Sequence, residues 1–204
     1  MTPLSLAAFT GAMFLLAMTP GPGVFATVAR ALASGFAHAS VVVLGIVIGD
    51  LVFLLLAIHG LAAVADLLGE LFALVKYLGA GYLLWLGLRL WRNDDVATGA
   101  TPFQENSWFA NLTSGLLITL GNPKVILFYL GFLPAFVDLA TLDTADVAII
   151  AGIVALVLGA TMLGYAYAGS RARRLFQSQE TKRILNRTAG SVMIATGAVL
   201  ATRA

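Results

Sequence analysis

The chain has 204 residues, of which 60% are hydrophobic and 11% are charged, and its mean hydropathy is +0.94. Soluble domains carry about 25% charged residues, so this composition predicts an integral membrane protein. The length suits one transmembrane domain over residues 1–204, with no separate soluble domain. A formal net charge of +2 is too small to indicate a nucleic-acid partner, and the lack of cysteine excludes disulfides and thiolate metal sites.

Six apolar segments are long enough to cross a bilayer, which takes about 20 residues in a helix. In chain order, the predicted spans are approximately 4–33, 41–65, 67–91, 108–137, 147–168 and 184–201. The first 18 residues lack a positively charged region and a small-residue cleavage pattern. They are therefore predicted to form a retained first span, not a cleaved signal peptide.

Prolines interrupt the first and fourth predicted spans at corresponding places. Proline removes a backbone donor and clashes with the carbonyl four residues earlier. The freed polar groups cannot face lipid, so such breaks persist where they are buried in protein or line a cavity. Paired breaks in two halves of a chain indicate the binding site of a transporter. The predicted substrate-binding residues are therefore Pro20, Gly21, Pro22, Gly23, Asn122, Pro123 and Lys124.

The two halves have the same organisation, which predicts an internal repeat. Repeat 1 covers about residues 1–92, a cytoplasmic linker about 93–107, and repeat 2 about 108–204. Each half has a broken span followed by two plain spans, and three spans is an odd number, so the halves face opposite ways. Matching Pro20 with Pro123 also aligns Gly49 with Gly152. The predicted fold is therefore all-α, with six transmembrane helices as two inverted three-helix repeats.

Basic residues predict the orientation in the membrane, because cytoplasmic loops carry an excess of Lys and Arg. Most of them fall after spans 1, 3 and 5, which lie on one side: Arg30, Arg89, Arg92, Arg171, Arg173, Arg174, Lys182, Arg183 and Arg187. The other side has Lys76, Arg203 and an acidic loop that holds Asp138, Asp143 and Asp146. The basic side is predicted to be cytoplasmic, which places both termini in the periplasm.

Two charges lie deep in apolar sequence, Asp50 in span 2 and Lys124 after the second break. A charge at the centre of a membrane helix costs about 2.5–3.5 kcal/mol on insertion scales. Two interpretations follow: a substrate and proton site, or a structural Asp50–Lys124 ion pair that joins the halves. The sequence has no His, Asp and Glu cluster at metal-ligand spacing and no catalytic constellation. It therefore predicts no metal, no cofactor and no enzymatic activity.

Aromatic and small residues near these features allow two interpretations each. Phe25, Phe128 and Tyr129 flank the breaks and either shape a substrate pocket or serve as ordinary packing. Gly45 and Gly49 lie four apart in span 2, which predicts close helix packing in lipid. Glycine-rich faces of this kind serve contacts within one chain or between two chains, so a homodimer is a possible assembly.

The chain resembles the LysE/RhtB family of amino-acid exporters over essentially its whole length. One motif is Pro20-Gly21-Pro22, followed by Arg30, Gly35, Gly45 and Gly49-Asp50; the other is Asn122-Pro123-Lys124, followed by Phe128 and Leu133-Pro134-Ala135-Phe136. The resemblance implies export of amino acids or related metabolites from a bacterial inner membrane, driven by the proton-motive force. It also implies that both breaks line the transport route. The family often has Asn or Asp where this chain has Gly23, which leaves the substrate open.

Together, these features predict proton antiport with alternating access. Helix N-termini at the breaks suit an anion such as a substrate carboxylate, with Lys124 and the amide of Asn122 beside it. Asp50 would face the substrate ammonium or carry the proton. Three other readings stay open: an exporter of a lactone signal, toxic metabolite or metal ion; a membrane enzyme that uses the arginines at 171–174; and a structural or regulatory membrane protein.

Overall fold

The computed structural model describes residues 2–63, 77, 81, 83–88, 91–92, 107–139, 141–172 and 179–202. Every assigned element in this part of the chain is helical. The predictions for Lys76, Arg89, Arg173, Arg174, Arg203 and the linker residues 93–106 lie outside the described residues, as does the side chain of Lys182.

The described helices overlap five of the six predicted spans, and most of the predicted third span, 67–91, lies outside the described residues. They are α1 (Pro3–Met18), α2 (Pro22–Ser34), α3 (Phe36–Ala63), α4 (Trp108–Leu120), α5 (Pro123–Leu127), a π-helical turn (Phe128–Phe132), α6 (Leu133–Phe136), α7 (Thr144–Ala172) and α8 (Gln179–Thr202). Among the described residues, 36–58 and 144–172 are long and apolar enough to cross a membrane, and the bent pair of α1 and α2 makes a third candidate. The chain is therefore a multi-pass membrane protein, and the crossing of all six spans stays a prediction.

Both predicted helix breaks are present. The axes of α1 and α2 differ by 55° across the break, and α2 begins at Pro22, where proline's missing N–H costs no helical bond. In the fourth span, α4 ends at Leu120 and α5 begins at Pro123. Each proline thus starts a new helix instead of interrupting a continuous one.

The π-helical turn was not predicted, but Pro134 supplies its physical reason. Pro134 lies in the first turn of α6, directly after the π-helical residues. Because proline has no N–H and its ring clashes with the carbonyl four residues earlier, the preceding turn cannot continue as a regular α-helix there. The wider turn accommodates this proline, and π-helical turns of this kind are frequent at functional sites.

The long helices α3 and α7 form the centre of the bundle. Both contact α2, α4 packs along α3, and α1 packs along α7. The turn between α2 and α3 depends on Gly35, which has a φ of 85°, a conformation that favours glycine. A main apolar core joins α1, α3, the helices after the second break and α7, while a second cluster joins α8 to Leu83, Leu86 and Ile118.

Two of the described basic residues, Arg30 and Arg171, lie near the ends of α2 and α7, close to the start of α3. Ala31, Ala39 and Ala166 pack together there, and Arg171 lies in the last turn of α7. The prediction that Arg30 lies between two spans is wrong, because Arg30 is inside α2 and only 3% exposed. It is therefore part of the helix bundle and not a loop residue.

Candidate functional site

Lys124 joins the two helix breaks. Its Nζ donates hydrogen bonds to the carbonyl oxygens of Leu16 and Thr19, each at 2.8 Å. These oxygens lie at the end of α1, where helical carbonyls have no partner within their own helix. A cation there also interacts favourably with the helix dipole. The lysine of the second break therefore caps the helix that ends at the first break.

A second residue from the C-terminal half of the chain completes this cap. The Tyr165 hydroxyl, on α7, donates to the carbonyl of Met18 at 3.0 Å. Thr19 contributes locally, since its backbone N–H and its hydroxyl both donate to the carbonyl of Leu15. The last turn of α1 is thus held by donors from α5 and α7, both in the second half of the chain.

Asn122 caps the helix that begins at the second break. Its side-chain oxygen accepts a hydrogen bond from the backbone N–H of Lys124 at 3.2 Å, and its own N–H donates to the carbonyl of Thr119 at 2.9 Å. Asn122 is buried at 5% exposure. One of the free N–H groups predicted for a substrate carboxylate is therefore already satisfied by Asn122.

A small cavity, here called the Asp50 cavity, lies between the two breaks. Its volume is about 20 Å³, and Gly23, Asp50, Thr119, Asn122 and Lys124 supply its polar and glycine lining. A cavity needs about 10–15 Å³ to hold one water molecule, whereas ligand pockets usually have about 300–1,000 Å³. This conformation therefore has room for a water molecule and not for an amino acid.

Asp50 is buried beside this cavity without a hydrogen bond. It is 1% exposed, and neither carboxyl oxygen has a hydrogen-bond partner in the described part of the chain. The Tyr129 hydroxyl, also buried, is its neighbour but does not reach hydrogen-bond geometry. Lys124 interacts with Asp50 electrostatically, yet its ammonium is bonded to the carbonyls of α1. The direct ion pair considered from the sequence is therefore not formed in this conformation.

A larger groove adjoins the Asp50 cavity on the other side of Lys124. Its volume is about 390 Å³, and it lies between α1 and the helix segments that follow the second break. Its lining is Ala12, Leu15, Leu16, Thr19, Lys124, Leu127, Phe128 and Phe132. Leu16 and Lys124 line both spaces, so these two residues lie between the Asp50 cavity and the apolar groove.

The structure brings some of the predicted site residues together and places others elsewhere. Gly21 lies next to Lys124, since an added Cβ there would be 3.5 Å from Nζ. Phe128 lines the groove, and Tyr129 neighbours Asp50. Phe25, in contrast, packs on the cluster that contains Leu83, Leu86 and Ile118. The prolines at 20, 22 and 123 shape the breaks.

Sequence reasoning missed three polar residues of α4 that the structure buries, Asn111, Ser114 and Thr119. Thr119 lines the Asp50 cavity and packs against Gly49. Asn111, 1% exposed, has its Nδ2 3.0 Å from Nδ1 of His38, whose ring stacks on Trp108 at 4.9 Å. Polar residues inside an apolar segment were the available signal. Among the described residues, no group of three or more potential His, Cys, Asp or Glu ligands gathers around one point.

Two proline-broken helices with buried charges between them are the arrangement expected at the binding site of a membrane transport protein. Comparison with known proteins agrees. Residues 14–204 match the family model described as "LysE type translocator", and the chain belongs to this family. The match confirms the resemblance seen in the motifs, and it confirms a transport protein rather than an enzyme.

Individual relatives support the same assignment. An uncharacterised membrane protein of Synechocystis sp. is 37% identical over 93% of this chain and 92% of its own length. A leucine efflux protein of Enterobacter sp. is 36% identical over 64% of this chain and 63% of its own. A homoserine/homoserine lactone efflux protein of Salmonella typhi is 27% identical over 92% of this chain and 91% of its own. No solved structure matches the chain.

Proposed function

We propose that this protein is a secondary active exporter of amino acids and closely related metabolites in a bacterial inner membrane. It works by proton antiport with alternating access, around a site formed by the two helix breaks. The observation that carries the proposal is the contact between the breaks, where Lys124 of the second holds the carbonyls of Leu16 and Thr19 at the first. A helix cap between the two halves must change if the halves move relative to each other.

The proposed architecture is six spans in two inverted repeats, and the pairing of the helices supports it. The first half of span 1, α1, packs on α7 of the second repeat, and the first half of span 4, α4, packs on α3 of the first. In an inverted repeat with its two-fold axis in the membrane plane these two contacts are equivalent, and the contact between α3 and α7 joins the second helices of the two proposed repeats. Rocking of one repeat against the other then opens the cavity to each side in turn.

Asp50 is the proposed proton carrier. A carboxylate with no hydrogen bond is costly to keep charged in a buried site, and Asp50 is 1% exposed without such a bond. Its protonation therefore responds to whichever charged group enters the cavity beside it. Proton loss on one side and uptake on the other would couple each substrate movement to the proton gradient.

The proposed substrates follow from the relatives and from the chemistry of the site. Relatives are named for efflux of leucine, homoserine and homoserine lactone. The lactone has no free carboxylate, so the polar group common to all three is a primary ammonium. Beside the Asp50 cavity, the groove lined by Leu15, Leu127 and Phe132 suits an apolar side chain. We therefore propose small apolar amino acids such as leucine as the first substrates to test.

The proposed orientation places both termini in the periplasm and the end that holds Arg171 in the cytoplasm, following the distribution of basic residues. Protons, substrate and lipid are then the partners of the monomer. A homodimer stays a further possibility for the assembly.

Export of labelled amino acids from cells, with the unaltered protein, Lys124→Ala and Asp50→Asn, tests this proposal. Glu180→Gln is a matched control, because this carboxylate is exposed at the start of α8. We expect the unaltered protein and the control to lower the intracellular leucine level, and both site variants to lose most of this activity. Full export by both site variants would show that the charges of Lys124 and Asp50 have a structural role and are not needed for transport. Absence of amino-acid export by the unaltered protein would contradict the proposed substrate class.

A further inference from the structure

We infer that the carbonyls of Leu16 and Thr19 form the subsite for the substrate's ammonium group, and that the ammonium of Lys124 occupies this subsite in the substrate-free protein. The inference rests on the proposed export function and adds to it the group that the protein recognises. The Lys124 ammonium thus occupies the position of the substrate ammonium. It leaves the two carbonyls when the substrate binds.

The hydrogen bonds of Lys124 already display ammonium recognition. One Nζ binds two carbonyl oxygens, each at 2.8 Å, a distance typical of charged N–H donors. An ammonium has three donors and no acceptor, and the two oxygens are acceptors only. Any primary ammonium of small size can make the same two bonds, whereas a quaternary ammonium cannot donate at all.

The surroundings of the subsite give a second, independent indication of a charged ligand. The carboxyl group of Asp50 lines the cavity that Leu16 and Lys124 also line. It is 1% exposed and accepts no hydrogen bond in the described structure. A buried acceptor without a donor is unfavourable, because it has lost its hydrogen bonds to water and gained none in the protein. A ligand that brings an additional ammonium into the cavity supplies the donor that Asp50 lacks.

The position of Lys124 allows an exchange of partners. Lys124 lines both the Asp50 cavity and the apolar groove. The flexible stem of its side chain allows the ammonium to move. When the substrate ammonium takes the two carbonyls, the freed Lys124 ammonium can pair with the substrate carboxylate or with Asp50. The exchange replaces the cap between α5 and α1 by contacts to the substrate, so the two breaks become free to separate.

Thermal unfolding of the purified full-length protein tests the subsite, with methylammonium chloride as the probe. Lys124→Met keeps a similar side-chain length but leaves the carbonyl pair without its ammonium. We expect methylammonium to raise the melting temperature of Lys124→Met by about 2–4 °C at roughly five times its dissociation constant. We expect at most a small rise for the unaltered protein and for Lys124→Arg, whose carbonyl pair stays occupied.

The salts used as controls separate ammonium recognition from a general cation effect. Tetramethylammonium chloride at the same concentration should not protect Lys124→Met, because this cation cannot donate a hydrogen bond. Sodium chloride controls for ionic strength and for direct coordination of a metal cation by the two carbonyl oxygens. Equal protection by all three salts, or equal protection of Lys124→Met and the unaltered protein by methylammonium, would overturn the assignment. So would a complete lack of protection of a folded Lys124→Met protein.

A second measurement uses only the unaltered protein, in case Lys124→Met does not fold. Competitors of leucine export should be ranked by their ammonium group. We expect leucine methyl ester, which keeps the ammonium, to compete, and N-acetyl-leucine, which lacks it, to be at least about tenfold weaker. Equal competition by N-acetyl-leucine would overturn the subsite. If the unaltered protein exports no amino acid, the proposed function fails, while methylammonium protection of Lys124→Met is decided separately.

Discussion

Gly45 and Gly115 lie against each other where α3 crosses α4, and each occupies a position that no larger residue can fill. A Cβ added at Gly45 would overlap the carbonyl oxygen of Leu112, and one at Gly115 would overlap that of Val42. The relationship is reciprocal, because each glycine meets the carbonyl three residues before the other glycine. Small residues at such a crossing allow helix backbones to approach closely in lipid.

Gly45→Ala should therefore destabilise the bundle. The new methyl group would also lie 2.9 Å from the backbone nitrogen of Leu116, so the helices must move apart. Overpacking of this kind costs about 1–3 kcal/mol. The measurement is the melting temperature in detergent, with Gly11→Ala and Gly164→Ala as controls, since an added Cβ there meets nothing within 4 Å. Equal melting temperatures for all three variants would argue against the crossing.

Ala12→Phe should block the apolar groove. Ala12 lines the groove on α1, and a phenyl ring at this position fills part of its roughly 390 Å³. We expect export of leucine to fall at least about tenfold, with export of alanine reduced less because alanine needs less of the groove. Ala8→Phe is the control, because Ala8 is exposed one turn earlier on the same helix. The same loss for leucine and alanine would contradict a side-chain role for the groove.

Tyr129→Phe should lower export without a large loss of stability. The Tyr129 hydroxyl is the buried polar neighbour of Asp50, and the substitution leaves that carboxyl group in a less polar environment. We expect the export rate to fall about tenfold, in line with the effect of one polar contact on a buried charge. Rates should be compared at equal protein amounts in the membrane. An unchanged rate across the pH range would show that Asp50 acts without Tyr129.

The predicted orientation can be tested because the chain contains no cysteine. Single cysteines at the exposed positions Thr2 and Ala145 should react in intact cells with a maleimide that does not cross the inner membrane. Cysteines at the exposed positions Arg171 and Glu180 should react only after the inner membrane is opened. The reverse pattern would place both termini in the cytoplasm, and labelling of Thr2 and Ala145 from opposite sides would contradict the span count.

The breaks were predictable from the sequence because proline acts locally. Pro22 and Pro123 each start a helix where the apolar pattern alone would continue one, and the steric reason lies within four residues of the proline. The nearness of Asp50 and Lys124 was also predictable, since isolated charges in apolar spans need a partner or a cavity.

The partners of Lys124 were not predictable, because they depend on tertiary contacts. The sequence favoured Asp50 or a substrate carboxylate as its partner, and the structure shows main-chain carbonyls of Leu16 and Thr19 instead. The residue types of a sequence do not show which backbone carbonyls will accept a hydrogen bond from a distant side chain. The same reason applies to Gly115, whose role appears only where α4 meets α3.

The most direct test of the central claim is transport in proteoliposomes that contain the unaltered protein or Asp50→Asn. Two rates are compared: leucine movement driven by an imposed pH gradient, and exchange of labelled for unlabelled leucine without a gradient. If Asp50 carries the proton at a site formed by the two breaks, Asp50→Asn should lose the gradient-driven movement and keep exchange. Gradient-driven movement at the unaltered rate in Asp50→Asn would contradict the account.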